Sequence, residues 1–500
     1  MKNLKELVEL VSGNKVKRIE LLNLQEEPQS KINQLYRAVK EDQVSTDLEA
    51  RALLMTNGQS AAAYSNLKTN LRKRLLNTLF FIDVDKRQYT DRQAAIFDIQ
   101  KALAAAQLLQ AKGAALVAAQ QFERCLKIAL KYEFVAAVLI SCRALRLHYG
   151  TQQRIEKKFR AYDQLYRSYQ YFDDWENRAE QYYADLIFDY FEKRRDTAAT
   201  SQQAQLYFEE LKEQYQNIAT YKFRFYAALI QFIQYSCKND FVPLIDLSQE
   251  VIHFFEQKDY QAHTPIQICL HHQIVGHLQL RNYDEGYQAA RHSQKLITKG
   301  LGNWFNNQEF LLLLALHTEH YQEAYDYYQE ATSHRRYSSL SKSVKGSWEV
   351  YRAYLHFLKF LERIHTPAKD RTFSTQKLNK FLNEKVELSK DKKGMNIAIL
   401  ILLIFFDLVD KNHEVAKYRL KTLKKYSYRH LQSPENKRPY EFVQLLLTLV
   451  EGNFQRKEVE LRATPFLVQL KRLLGTEAAS HKVEVIPFER MWEFALELLD

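Results

Sequence analysis

The segment Tyr321-Gln-Glu-Ala324-Tyr-Asp-Tyr-Tyr328-Gln-Glu-Ala331 carries a spacing that recurs along the chain. An aromatic residue is followed by a small residue three positions on, a bulky residue at the seventh and a small residue at the tenth. That spacing gathers all four on one face of an α-helix. It returns at Tyr283, Gly286, Ala290 and Ser293, again at Phe134, Ala137, Ser141 and Ala144, and more faintly at His413, Ala416, Leu420 and Leu423. Small residues at a crossing let two helix axes come near the lower end of the roughly 8–10 Å packing range, and the aromatic fills the wedge beside them. Each copy therefore reads as the second helix of a stacked helical hairpin. The pivots Phe134, Phe241, Tyr283, Tyr321, His413 and Phe454 are 107, 42, 38, 92 and 41 residues apart. The two longest intervals look like multiples of a unit, that of 92 accommodating two of about 46 with a helix expected over 348–364 between them, and the others sit near 40, within the range of helical-hairpin repeats.

Composition agrees with this reading. Glycine and proline supply only 20 of 500 residues, against roughly 12% in average usage, so few residues are present to punctuate sheets, and the fold class is all-α. The 46% hydrophobic share, with 31 Tyr and 29 Phe, is enough for a large core. The four cysteines, Cys125, Cys142, Cys237 and Cys269, are far apart and form no C-x-x-C pair, which fits a reducing cytoplasm and indicates neither a disulfide framework nor a cysteine metal site. The amino-terminal segment reads as a charged amphipathic helix, not an export signal. The longest apolar run, 397–406, is far short of the roughly 20 residues that span a bilayer. It is expected to be a helix buried on all sides, and no membrane insertion is expected.

Along the chain, helices are expected near 2–11, 30–41, 46–55 and 60–81, forming a helical head over 1–92. A repeat array is expected over 93–500, broken near 197–203, 366–375, 433–439 and 475–487. With RNYDEGYQAARHSQKLI (281–297) and EHYQEAYDYYQEATSH (319–334) as second helices, residues 265–335 resemble tetratricopeptide repeats. The period is longer than that family's, the tryptophan expected early in the first helix is missing, and so is a proline after each pivot, as in a degenerate relative. The resemblance implies a right-handed superhelix of helical hairpins whose concave face recognises proteins. The head is similar to the helix-turn-helix heads of bacterial transcription activators that carry repeat tails, on the strength of helix 46–55, a turn containing Gly58, and helix 60–81.

Candidate sites lie on faces the repeat leaves free. Phe159, Tyr162, Tyr166, Tyr169 and Phe172 form a stripe that suits a protein-binding groove, together with Tyr328, because tyrosine offers apolar area and a hydroxyl at low entropic cost. The same stripe is also what the internal seam of a hairpin looks like. Residues 411–440 carry Lys411, Lys417, Arg419, Lys421, Lys424, Lys425, Arg429, Lys437 and Arg438 against Glu414 and Glu435, a net +7 of the whole chain's +12. Interleaved with Tyr418, Tyr426 and Tyr428, that patch fits either nucleic acid or an acidic protein. In the head, Tyr64, Leu67, Leu71, Leu75 and Leu79 are expected to be buried, leaving Lys68, Arg72 and Lys73 to meet DNA.

Other motifs point away from chemistry. His317 and His320 share a helical face, but no third metal ligand is evident, and His271, His272 and His277 are expected to be packed or hydrogen-bonded. Gly300-x-Gly302 lacks its third glycine, and neither a phosphate loop nor a nucleophile elbow occurs. The expectation is a non-catalytic protein-interaction scaffold in a bacterial cytoplasm, with no cofactor or metal. A nucleic-acid-binding regulator with a repeat sensor is the alternative.

Overall fold

The computed structural model describes residues 29–41, 43–44, 46–55, 61–84, 90–193, 197–367, 373, 395–431, 436–473 and 484–499. The expected helix near 2–11 and the turn around Gly58 lie outside them, as do parts of the three later breaks. Among the described residues there are twenty α-helices and no strand. In the head these are α1 (Lys31–Lys40), α2 (Asp47–Leu54) and α3 (Ala61–Leu79). Next come α4 (Asp91–Ala111), α5 (Ala115–Tyr132), α6 (Val135–Leu147), α7 (Glu156–Lys193), α8 (Thr197–Asn217), α9 (Tyr221–Lys238) and α10 (Phe241–Glu256). The following hairpins are α11 (His263–Leu280) with α12 (Tyr283–Leu296), and α13 (Gly302–His317) with α14 (Tyr321–Thr332). Then follow α15 (Lys342–Phe360), α16 (Met395–Val409), α17 (His413–His430), α18 (Lys437–Glu451), α19 (Arg456–Arg472) and α20 (Phe488–Glu497). Consecutive helices pack on one another.

The chain divides into two compact units. One comprises 1–181, 211–226 and 256–262, the other 182–210, 227–255 and 263–500. In the first, the head has a small core of Leu35, Ala50, Leu54, Tyr64 and Leu71. A larger core joins α4, α5 and α6 through residues such as Ile99, Phe122, Leu126, Val138 and Leu145. The stripe expected along α3 is only half realised. Tyr64 and Leu71 are buried and Leu67 partly so, whereas Leu75 and Leu79 are exposed. Among the described residues the difference is one of length: α1 and α2 are 10 and 8 residues and α3 is 19, so its last turns run beyond these two helices.

In the second unit every pivot of the repeat opens or adjoins a second helix, and the small positions are buried. Tyr321 is 5% exposed, while Ala324, Ala331 and Ala290 are fully covered. At Gly286 an added Cβ would stand 2.9 Å from Leu314 Cδ2, so the absence of a side chain there sets the approach of α12 to α13. The hairpin turns share one geometry. Arg281, Glu319 and Lys411 take φ of 60°, 61° and 53°, and the next amide donates back five residues, as from Asn282 to the His277 carbonyl (2.9 Å), His320 to Ala315 (2.9 Å) and Asn412 to Asp407 (2.8 Å). Helices commonly end this way on glycine. Here ordinary residues occupy the left-handed region, which is how a chain with 12 glycines makes so many reversals.

One glycine is not replaceable in this manner. Gly300 has φ +84° and a Cβ built on it would fall 2.2 Å from His334 Cε1. That imidazole leans on Trp304 and Phe305 at 5.3 and 5.9 Å between ring centroids. Gly300→Ala is expected to lower stability by about 1–3 kcal/mol through backbone strain and displacement of His334, measured by urea unfolding against wild type.

The second unit is not a simple linear stack. Helix α20 returns to earlier hairpins: Phe494 meets Tyr321 and Phe357 at 6.3 and 5.9 Å, and Phe488 stacks on Phe442 at 4.2 Å. Arg438 accounts for much of this closure. It is 3% exposed and donates to Glu484 Oε2 at 2.8 Å, Glu489 Oε2 at 2.8 Å and the Leu470 carbonyl at 2.7 Å. Arg281 binds the same two carboxylates at 3.2 and 3.0 Å. The apolar run behaves as expected, with Ile397, Ala398, Leu402, Ile404 and Phe405 all buried inside α16. Among the described residues, no helix is long and apolar enough to cross a membrane.

Candidate functional site

The tyrosine stripe on α7 faces the first unit's core. Phe159, Tyr162, Tyr166 and Tyr169 are partly buried against α4–α6. Tyr162 stacks on Tyr149 at 5.7 Å, and both hydroxyls donate to Glu123 Oε1, at 3.2 and 2.8 Å. Lys158 joins them, 3.1 Å from the same oxygen. The ring of Tyr166 carries the Arg146 guanidinium 4.6 Å from its centroid, and Tyr169 meets Phe172 edge-on. These three tyrosines are thus partly engaged within the chain. Tyr328 is 3% exposed and packs on Trp348, so its ring is a core element.

In the head, the three cations differ. Lys68 Nζ is 2.7 Å from Asp47 Oδ1, which also accepts from the Tyr64 hydroxyl at 2.9 Å. Those hydrogen bonds hold the Asp47 carboxyl below its ordinary range. Arg72 and Lys73 are exposed. Beyond them the sequence reading missed the more telling surface. Leu75, Leu76, Leu79, Phe80 and Phe81 are between 37% and 59% exposed within seven residues. The signal lay in the lengths of the neighbouring elements, not in the stripe itself.

The basic patch separates into two parts. Arg438 is buried in the carboxylate cluster, and Arg419 pairs with Asp407 at 3.2 Å, so neither adds a free charge to the surface. The expectation that all nine cations belong to one patch is corrected accordingly: a guanidinium against the buried Glu484 and the partly buried Glu489 is held inside. Lys421, Lys424, Lys425 and Arg429 remain exposed on α17. Tyr418 (72% exposed) and Tyr428 (53%) stand among them. Tyr418, Lys421, Lys425 and Tyr428 are spaced three, four and three apart and so share one face.

The histidines hold structural positions. His317 Nε2 is 3.0 Å from the Glu484 carbonyl, and His320 Nδ1 is 2.8 Å from Thr318 Oγ1, so the two imidazoles have different partners. His272 stacks on Phe232 at 4.3 Å, and burial lowers its pKa to about 3. Among the described residues, no three His, Cys, Asp or Glu side chains converge as a metal set would.

Glu176, which the sequence did not single out, is a strongly perturbed carboxyl of the first unit. It is 3% exposed on α7, its Oε1 has no hydrogen-bond partner, and burial pushes its pKa to about 7. Thr220, Lys222 and Arg92 oppose that rise and Asp173 adds to it. In the unfolded chain the carboxyl ionises near 4.5. Folding therefore favours the protonated form, and its contribution is fully present below 4.5 and lost as pH rises through about 7. Glu176→Gln is expected to add about 2–4 kcal/mol of stability near pH 8 and little near pH 4, measured by urea unfolding at the two pH values.

No family model, curated protein or solved structure matches this chain.

Proposed function

We propose that the protein is a non-catalytic scaffold that binds a protein partner, its hairpins being degenerate relatives of tetratricopeptide repeats wound into a superhelix. The observation that carries this reading is the apolar end of the head, residues 75–81, where five large hydrophobic side chains are exposed together beside Arg72 and Lys73. Contiguous exposed apolar surface with a polar rim marks interaction sites. Phenylalanine and leucine anchors ringed by cations suit an apolar groove with an acidic edge. The cytoplasmic location belongs to the same reading, supported by four free cysteines, three of them buried.

The test compares wild type with L76E/F80E/F81E in affinity capture from the native cell. All three positions are exposed, so the fold tolerates the changes. The reading requires a protein that co-purifies in fixed stoichiometry with wild type and falls about tenfold or more with the variant. Equal recovery by the two forms would sink it.

A second reading rests on α17, where Tyr418 and Tyr428 alternate with exposed lysines on one face. Exposed aromatics among cations can stack bases while the cations meet phosphates. In that case single-stranded RNA binds at low ionic strength with a steep salt slope, and Tyr418→Ala/Tyr428→Ala weakens it. No binding at low salt removes this alternative.

A further inference from the structure

Helix α17 concentrates charge that the rest of the chain does not answer. Residues 411–429 carry +6 of the chain's net +12. Arg419 is paired with Asp407, but Lys421, Lys424, Lys425 and Arg429 form no ion pair among the described residues. Lys417, Lys421, Lys425 and Arg429 follow one another at intervals of four, and like charges so spaced destabilise a helix. Only the last turn is relieved by the helix dipole, which favours cations at the carboxyl end. The inner face is fixed all the same, with Ala416, Leu420, Leu423 and Ser427 fully buried. A packed helix that keeps unanswered cations on its outer face suits an anionic partner.

The rings decide which anion. Tyr418 is 72% and Tyr428 53% exposed, so neither contributes much to the core. Ten residues at a rise of 1.5 Å set them about 15 Å apart along the helix axis. Lys421 and Lys425 lie between them on the same face, and Glu414 closes the strip one turn before Tyr418. Tyr440 meets the Tyr428 ring nearly perpendicular at 6.1 Å, which restrains it. An acidic peptide answers the lysines but brings nothing planar to the two rings. A nucleic-acid strand supplies both, phosphates for the cations and bases for the rings. In a duplex the base faces are already stacked on one another, so the rings select a single strand.

We infer that the outer face of α17 holds a short single-stranded stretch of RNA, with bases stacked on Tyr418 and Tyr428 and the phosphates between them on Lys421 and Lys425. The inference rests on the second reading above and adds its mode. The site is strand-selective, works by stacking, and covers about four nucleotides, the lower end of the roughly 4–16 that single-strand sites occupy. The full-length protein is titrated at low ionic strength, by fluorescence anisotropy, with labelled oligouridylate, an RNA duplex of the same length and poly-glutamate. The single strand is expected to bind about tenfold tighter than the duplex, although the duplex carries twice the charge, and tighter than poly-glutamate. Tyr418→Ala/Tyr428→Ala is expected to weaken it about tenfold or more with the salt slope unchanged, whereas Tyr418→Phe/Tyr428→Phe, which keeps the rings, stays near wild type. Lys421→Ala/Lys425→Ala is expected to lower the slope by about 1.4. All four positions are exposed, so the fold tolerates the changes. If no oligonucleotide binds, the second reading falls and the inference with it. Single strands that bind no better than the duplex, or as well to the Tyr→Ala form as to wild type, leave that reading standing and overturn the inference. Poly-glutamate binding as tightly as the single strand overturns it in favour of an acidic protein.

Discussion

Arg438→Ala is expected to cost about 3–5 kcal/mol, because it leaves the buried Glu484 carboxylate with only the longer contact to Arg281 at 3.2 Å. The Arg438 and Glu484 side chains are 3% and 7% exposed. Burial alone would raise the Glu484 carboxyl, but hydrogen bonding and attraction to Arg438, helped by Arg281, hold it below its ordinary value of 4.5. A carboxyl with a depressed pKa contributes stability above its unfolded value and loses that contribution as pH falls through the folded one. The deficit of the variant is therefore greatest at neutral pH and shrinks in acid, where Glu484 becomes protonated in either form. Removing both charges with Arg438→Met/Glu484→Leu is expected to recover most of the loss, since apolar replacements of a buried pair are often near neutral. Arg363→Ala, which breaks a half-exposed pair with Glu497, should cost under about 1 kcal/mol. Urea unfolding, followed by the fluorescence of Trp348 and Trp492 in the second unit, separates these outcomes.

Trp348→Ala is expected to have an effect of the same size, about 3–5 kcal/mol, for a different reason. Trp348 is fully buried, with Tyr328, Tyr351 and Tyr337 around it at 6.0, 6.0 and 6.5 Å. Truncation leaves a void among rigid rings that cannot collapse into it. The indole Nε1 has no hydrogen-bond partner, so the ring contributes by area alone. Trp348→Phe is thus expected to keep most of the stability, at a cost of about 1–2 kcal/mol. If Phe were as damaging as Ala in chemical unfolding, a polar role for the indole would have to be sought.

Much of the helical framework was legible in the sequence because packing periodicity is local. Tyr321, Ala324 and Ala331 lie within ten residues of one another, and their burial follows from their spacing. Features that depend on distant partners were not legible. Arg438 looked like one more surface cation, since Glu484 stands 46 residues away and Arg281 joins the cluster from a further hairpin. Leu75 and Leu79 looked buried because a stripe does not reveal how long its covering helices are. The hairpin turns were hidden by using Arg281, Glu319 and Lys411 where glycine would have announced a reversal.

Amide hydrogen exchange on the captured complex, compared with the free protein, tests directly whether the partner docks on the exposed end of the head. Binding through the exposed end of the head predicts new protection over residues 72–81, with α17 unchanged. Protection confined to α17, or none in 72–81 while the partner remains bound, would contradict it.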